Sequence, residues 1–139
     1  MLKRIILFIL VIGVIGGIAN YMYNKPPRNI AEAKKDFTLN ANQFYKVYES
    51  NEDSANKLYL EKVIEVQGKV VEIQLENEDE PSLALGTDSE GMTIRCGFKK
   101  ELLNEVKTKK MGDKIKVKGK CDGMDMFGVV ITQCSFVKE

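Results

Sequence analysis

Histidine and tryptophan are both missing from this chain of 139 residues. Without histidine there is no ordinary general base near neutral pH, no Ser-His or Cys-His nucleophile pair, and no use of the commonest metal ligand. Without tryptophan a strong stacking platform for sugars is disfavoured. Neither charge sign dominates: 21 lysines and arginines face 20 aspartates and glutamates. A surface that neutralises phosphates should be clearly basic, so this balance disfavours nucleic acid as a partner. The three cysteines, Cys96, Cys121 and Cys134, form neither a CxxC redox motif nor a zinc-binding spacing. No cofactor or metal site is expected, and with no nucleophile–base pair to name the chain reads as a non-enzyme.

Long apolar runs are also scarce, with one exception. Ile5–Tyr23 is almost unbroken, carries no charge, and follows Lys3 and Arg4. As a helix it would extend roughly 29 Å, close to the hydrocarbon thickness of a bilayer. The flanking cations are kept cytoplasmic by the positive-inside rule, and Tyr21 and Tyr23 sit where headgroups favour amphipathic rings. Residues 1–23 are therefore expected to be an uncleaved signal-anchor contacting the membrane through residues 5–23. The N-terminus would be cytoplasmic and the rest periplasmic or extracellular, as a single-pass inner-membrane protein. A cleaved signal peptide is the competing reading, but the following residues make a poor cleavage site. Gly13 and Gly17 have the spacing of a helix-pairing motif, although glycine is common in membrane helices generally.

Residues 24–37 form a polar spacer in which Pro26 and Pro27 discourage helix. The domain follows over residues 38–139. Asn40 and Gln43 read as a capping box for a helix carrying Phe44, Val47 and Tyr48 on one face. Ala55, Leu58 and Tyr59 mark a second helical stretch. From Val63 the pattern turns to strand, and its apolar phase shifts beside Gly68, the mark of a bend or bulge. Glu76–Pro81 is a charged turn, Ser82–Thr87 a second strand, and Met92–Phe98 a third. Lys99–Lys107 has a helical stripe at Leu102, Leu103 and Val106. Lys114–Cys121 alternates as a fourth strand, Asp122-Gly123 and nearby residues read as a hairpin with Met124–Phe127 at its tip, and Phe127–Val137 is the fifth. Three strands, a helix and two more strands is the layout of a five-stranded OB-fold Greek-key barrel, so the fold class is mainly β.

Specific stretches resemble one family. Tyr59-Leu60-Glu61-Lys62-Val63-Ile64-Glu65-Val66-Gln67-Gly68-Lys69-Val70 is similar to the first strand of the bacterial tRNA-anti-like OB-fold proteins. Ile94-Arg95-Cys96-Gly97-Phe98 is similar to their third strand. The last match is Gly112 to Gly123 with Val130-Ile131-Thr132-Gln133-Cys134 after it. The resemblance covers roughly residues 37–137 and implies a binding fold, often tethered by a membrane or lipoprotein signal. It implies no catalytic residue.

An OB fold binds along its second and third strands, framed by the first–second and fourth–fifth loops. The candidate ligand-binding residues are then Ser82, Arg95, Phe98, Met124, Met126 and Phe127. Four have a plain structural alternative: Arg95 pointing to solvent, and Met124, Met126 and Phe127 closing the barrel end. Cys121 and Cys134, thirteen positions apart in the last two strands, are a candidate disulfide or else buried thiols. The carboxylates Glu78, Asp79 and Glu80 match no calcium loop. The lysine stripe Lys114, Lys116, Lys118 and Lys120 has no interleaved aromatics and suits an edge-protecting strand better than a nucleic-acid surface. The functional expectation is a tethered binding module for a protein or cell-envelope oligomer. The alternatives are an oligonucleotide-binding domain and a structural envelope subunit that oligomerises through its membrane helix.

Overall fold

The computed structural model describes residues 2–23 and 29–138, with side chains described for residues 10–20 and 29–138. Helix α1 runs over Leu2–Tyr23. Strand β1 (Phe37–Asn40) leads into α2 (Ala41–Ser50) and α3 (Glu52–Tyr59), and then β2 (Val63–Gln74), β3 (Ser82–Gly86) and β4 (Thr93–Phe98). A 3-10 turn at Lys100–Leu102 continues into the short α4 (Leu103–Lys107), followed by β5 (Lys114–Asp125) and β6 (Gly128–Phe136). The sheet order β2-β3-β4-β6-β5 closes on itself through β2–β5. With β4 and β6 parallel and the other barrel pairs antiparallel, this is the closed five-stranded barrel of an OB fold.

The long strand β2 serves two sheets, as the phase shift beside Gly68 predicts. Its first half pairs with β5 and its second half with β3, with a register shift between Val70 and Glu72. A Cβ at Gly68 would lie 3.0 Å from Leu85 Cβ and 3.1 Å from Ala41 Cβ, so the strand can bend over β3 and α2 only where a side chain is missing. Strand β1 was not expected. Phe37–Asn40 lies parallel to Ile64–Gln67 of β2, in a stretch whose shortness and polar flanks hide the pattern.

The capping box is present: Gln43 N donates to Asn40 Oδ1 at 2.8 Å, and Asn40 N to Gln43 Oε1 at 3.3 Å. Helix α2 touches β1, β2, β3, β4 and β6, so it closes one end of the barrel. There Phe44, Tyr48 and Tyr59 pack edge-on or tilted at 5.5–6.4 Å, with Phe37 against Tyr59 at 5.0 Å. Leu58, expected on the inner face, is instead more than half exposed.

Two expectations need correction. Asp122-Gly123 is not the hairpin turn: β5 continues to Asp125, and Gly123 (φ +95°) sits at a register shift against β6. The Asp-Gly pair is used as a bulge, and the turn falls at Met126-Phe127 before Gly128 (φ +131°). The disulfide is also absent, since Cys96, Cys121 and Cys134 are free and buried. The β5–β6 register explains it. Cys121 lies opposite Ile131, while Cys134 falls beside Gly119. Cys121 Sγ is instead 3.2 Å from Tyr48 Oη, and the Cys134 thiol donates to the Ile131 carbonyl at 3.6 Å. Burial pushes the Cys121, Cys134 and Tyr48 groups above their ordinary values.

The second half of the expected spacer is held on the barrel. Ile30 is buried, and Lys118 Nζ donates to the carbonyls of Ala31 and Ala33 at 2.7 and 2.9 Å. Asp36 accepts from Val63 N at 2.9 Å, and Lys35 pairs with the buried Glu65 at 2.9 Å. Two members of the lysine stripe thus serve the fold: Lys118 here, and Lys120 through Glu61 and Asp122.

Among the described residues no helix is long and apolar enough to cross a membrane. The expected span of residues 5–23 is therefore unsupported at this level. Its described side chains, Leu10–Asn20, cover about 16 Å of helix, roughly half the hydrocarbon layer. The flanks Lys3, Arg4, Tyr21 and Tyr23 lie outside the described side chains.

Candidate functional site

The outer face of β3 and β4 is floored by small residues. Register aligns Gln74, Ser82 and Gly97 in one row across β2, β3 and β4, and Glu72, Ala84 and Arg95 in the next. Because side chains alternate along each strand, these residues point away from the core formed by Leu83, Leu85, Ile94 and Cys96. Small residues at 82, 84 and 97 leave the face concave. A cavity of about 580 Å³ lies over the first row, walled by Asp79, Lys100 and Thr132. A second of about 260 Å³ lies between Glu72, Arg95 and Phe127, and Gln74 and Arg95 line both. The two adjoin along the outer face of the strands, with Gln74 and Arg95 at their common border, and are together called the groove. A Cβ on Gly97 would rest in ordinary van der Waals contact with Ile131 O at 3.9 Å and Thr132 Cγ2 at 4.0 Å, so the position admits a side chain without a clash.

Both flanking loops are fixed by ion pairs. In the β2–β3 loop, Asp79 accepts from Lys100 at 2.6 Å and Glu78 from Lys107 at 3.3 Å. The acidic side chains there therefore face lysines of the 3-10 turn and α4. In the β5–β6 turn, Asp125 accepts from Phe127 N at 2.8 Å and from Arg95 Nη2 at 2.9 and 3.1 Å. The Arg95 guanidinium also lies 5.5 Å from the centre of the Phe127 ring. These contacts are largely solvent-exposed and set geometry more than stability.

Of the residues singled out from sequence, the structure brings Arg95, Phe127 and Ser82 to this groove. Met126 is 78% exposed beside it at the hairpin tip. Met124 packs partly against the core. Phe98 is a correction: although it borders the larger cavity, it is 3% exposed and stacks on Phe136 at 4.7 Å, because β4 alternation turns it inward with Ile94 and Cys96. Sequence reasoning missed Glu72, Gln74, Gly97 and Gln133. The polar phase at the end of β2 and a glycine inside β4 were the available signals.

Strand β6 carries one extra residue. Between Ile131 and Cys134 it advances three positions while β4 advances two, from Cys96 to Phe98. This bulge at Thr132-Gln133 turns both Ile131 and Cys134 inward, and it puts Gln133 at φ +51°. Gln133 lines the larger cavity, and its Oε1 is buried without a hydrogen-bond partner among the described residues.

Among solved structures, a Klebsiella pneumoniae lipoprotein proposed to bind nucleic acid superposes with a TM-score of 0.61 at 16% identity, over 82% of this chain and 100% of that one. A chain of the S. pombe Stn1–Ten1 complex covers 55% of this chain and 59% of its own at 17% identity and a TM-score of 0.41. An OBody bound to hen egg-white lysozyme gives 13% identity and a TM-score of 0.43, over 56% and 97%. At these identities the likeness concerns the fold alone, and no curated protein matches the chain. The family model named tRNA_anti-like matches residues 1–135, helix α1 included, and the chain belongs to that family.

Proposed function

We propose that this chain is a non-catalytic binding module that takes an extended segment of another cell-envelope protein along the outer face of β3 and β4. The observation that carries this reading is the groove itself, floored by Ser82, Ala84 and Gly97 and bounded by both OB loops. Its charge favours a neutral polymer. Arg95 and Lys100 are already held by carboxylates, and Glu72, Glu80 and Glu101 line the same groove, so a phosphate chain would meet acids along its path. Nothing in the groove resembles a nucleophile with its base: the nearest hydrogen-bond partner of Ser82 Oγ is the Gln74 amide oxygen, at 3.4 Å.

The N-terminal helix supplies the location in this proposal. Leu10, Val11, Ile12, Val14, Ile15 and Ile18 are each more than half exposed, a surface that a lipid phase would cover. The full run Ile5–Tyr23 is long enough in sequence for a tether, with the barrel outside the cytoplasm. A reporter enzyme fused after Glu139 that works only when exported should be active; activity of a cytoplasm-only reporter overturns this part.

Oligonucleotide binding is the second reading. The Arg95–Phe127 pair is a base-stacking platform in form, and the Klebsiella lipoprotein was given that role. One experiment separates them. Twelve-residue peptides selected by display on the full chain in detergent should lose binding to Gly97→Leu, which puts a large side chain into the cavity that Gly97 lines without a clash at its Cβ. An oligothymidylate should bind weakly or not at all. Tight oligothymidylate binding that falls steeply with salt selects the second reading, and selected peptides indifferent to Gly97→Leu reject the groove.

A further inference from the structure

We propose that Gln133 is the residue that reads the ligand, its amide oxygen accepting a hydrogen bond from a peptide N–H of the bound segment. This deepens the groove reading above and rests on it.

Two features converge on Gln133, a bulged backbone with a positive φ and a buried, unpaired side-chain oxygen. Its backbone is in the left-handed region at φ +51°, where residues other than glycine are uncommon and strained. It occupies the extra position of a bulge that shifts β6 against β4 between Cys96 and Phe98 and against β5 between Lys118 and Lys120. Bulges of this kind re-aim a side chain, and they concentrate beside binding sites. Its Oε1 is buried with no partner among the described residues. A buried oxygen left unpaired is rare in folded proteins and raises the question of what satisfies it.

Position supplies the answer. Gln133 lines the 580 Å³ groove on one side and a smaller cavity of about 200 Å³ beneath Ile30 and Leu102 on the other. The oxygen is buried, and the three flexible side-chain bonds of glutamine let it turn to the groove by a change of rotamer. In the groove the neighbouring polar groups are Thr132, which already donates to Asp122 at 2.6 Å, and Ser82, which donates toward Gln74. Gln133 Oε1 differs from the Glu80 and Glu101 carboxylates of the same groove, which are exposed to water, in being buried with no donor among the described residues. An extended polypeptide presents N–H groups at regular intervals, and one of them fits this acceptor. Side chains elsewhere on the segment need carry no charge. The strained backbone then has a purpose: it fixes the amide beside the groove rather than letting the strand continue in phase.

The test uses two probes that differ by one donor, N-methylacetamide and N,N-dimethylacetamide, titrated into the ¹⁵N-labelled full chain in detergent and followed by NMR. The first should move the Gln133 side-chain amide signals, and those of Gly97 and Thr132, several-fold more than the second at equal concentration. Gln133→Met, of similar length but without the acceptor, should abolish the difference. If that variant does not fold, the two-probe comparison on the native chain still decides. Equal shifts from both amides overturn the role of Gln133 while leaving the groove intact. No groove response to either probe, with shifts elsewhere or none, overturns the groove and the inference with it. Uridine shifting the same signals more strongly than N-methylacetamide assigns the acceptor to a nucleobase N–H and overturns the peptide assignment.

Discussion

Gly128→Ala is the substitution for which the structure makes the sharpest demand. Gly128 opens β6 at φ +131°, a region almost closed to residues with a Cβ. A methyl group there would stand 1.9 Å from Thr93 O and 2.9 Å from Thr93 N, so β4 and β6 must part at this end. The backbone strain alone costs about 1–3 kcal/mol. Parting the strands also removes the hydrogen bond from Thr93 N to Phe127 O, 3.0 Å long. A further loss of about 1 kcal/mol follows, giving a total near 3 kcal/mol or more. Gly91→Ala is the control: its φ is also positive, +74°, but a Cβ there meets nothing within 4 Å. That variant should lose only about 1–2 kcal/mol. Urea unfolding of the full chain in detergent, followed by circular dichroism, measures both. Equal losses would refute the argument that close strand approach, rather than turn conformation alone, fixes Gly128.

The remaining predictions concern the core and its titrating groups. Phe98→Ala should cost about 3–5 kcal/mol because Phe98 stacks in the core, whereas Met126→Ala should stay within about 0.5 kcal/mol; unfolding midpoints of the two variants decide. Lys35→Met strips the buried Glu65 carboxylate of its partner, and with Lys35 half exposed the expected loss is about 1–2 kcal/mol by the same assay. Stability should fall as pH rises above 9.0, the ordinary value from which Cys121 and Cys134 are pushed up by burial. The sign follows because the unfolded thiols release protons there while the folded ones keep theirs, a slope of up to about 1.4 kcal/mol per pH unit for each thiol. Tyr48, also raised, adds to the same fall above 10.0. A denaturation series from pH 7 upward checks this, and a flat profile contradicts it.

The barrel was legible because its signals are local and repeated. Alternation in Lys114–Cys121, the phase shift at Gly68 and the Asn40–Gln43 box each specify one element, and each is found. What stayed hidden depends on pairing across the sheet. Asp122-Gly123 carries the same residue signal whether it turns a hairpin or makes a bulge, and only the register with β6 separates the two. The disulfide expectation failed for the same reason, since a spacing of thirteen positions is silent about which residues face each other. Phe98 and Gln133 changed places in importance: alternation sends the aromatic inward, and a bulge keeps the glutamine at the groove.

The groove is the central claim, and a photo-cross-linker tests it most directly. Benzoylphenylalanine placed at Glu101, which is exposed and lines the larger cavity, should give one discrete adduct in native membranes. The same group at Leu58, exposed on α3 and outside the groove lining, should not give it, and Gly97→Leu should remove it. An adduct from Leu58 alone, or one from Glu101 that survives Gly97→Leu, would contradict the assignment of this face as the binding surface.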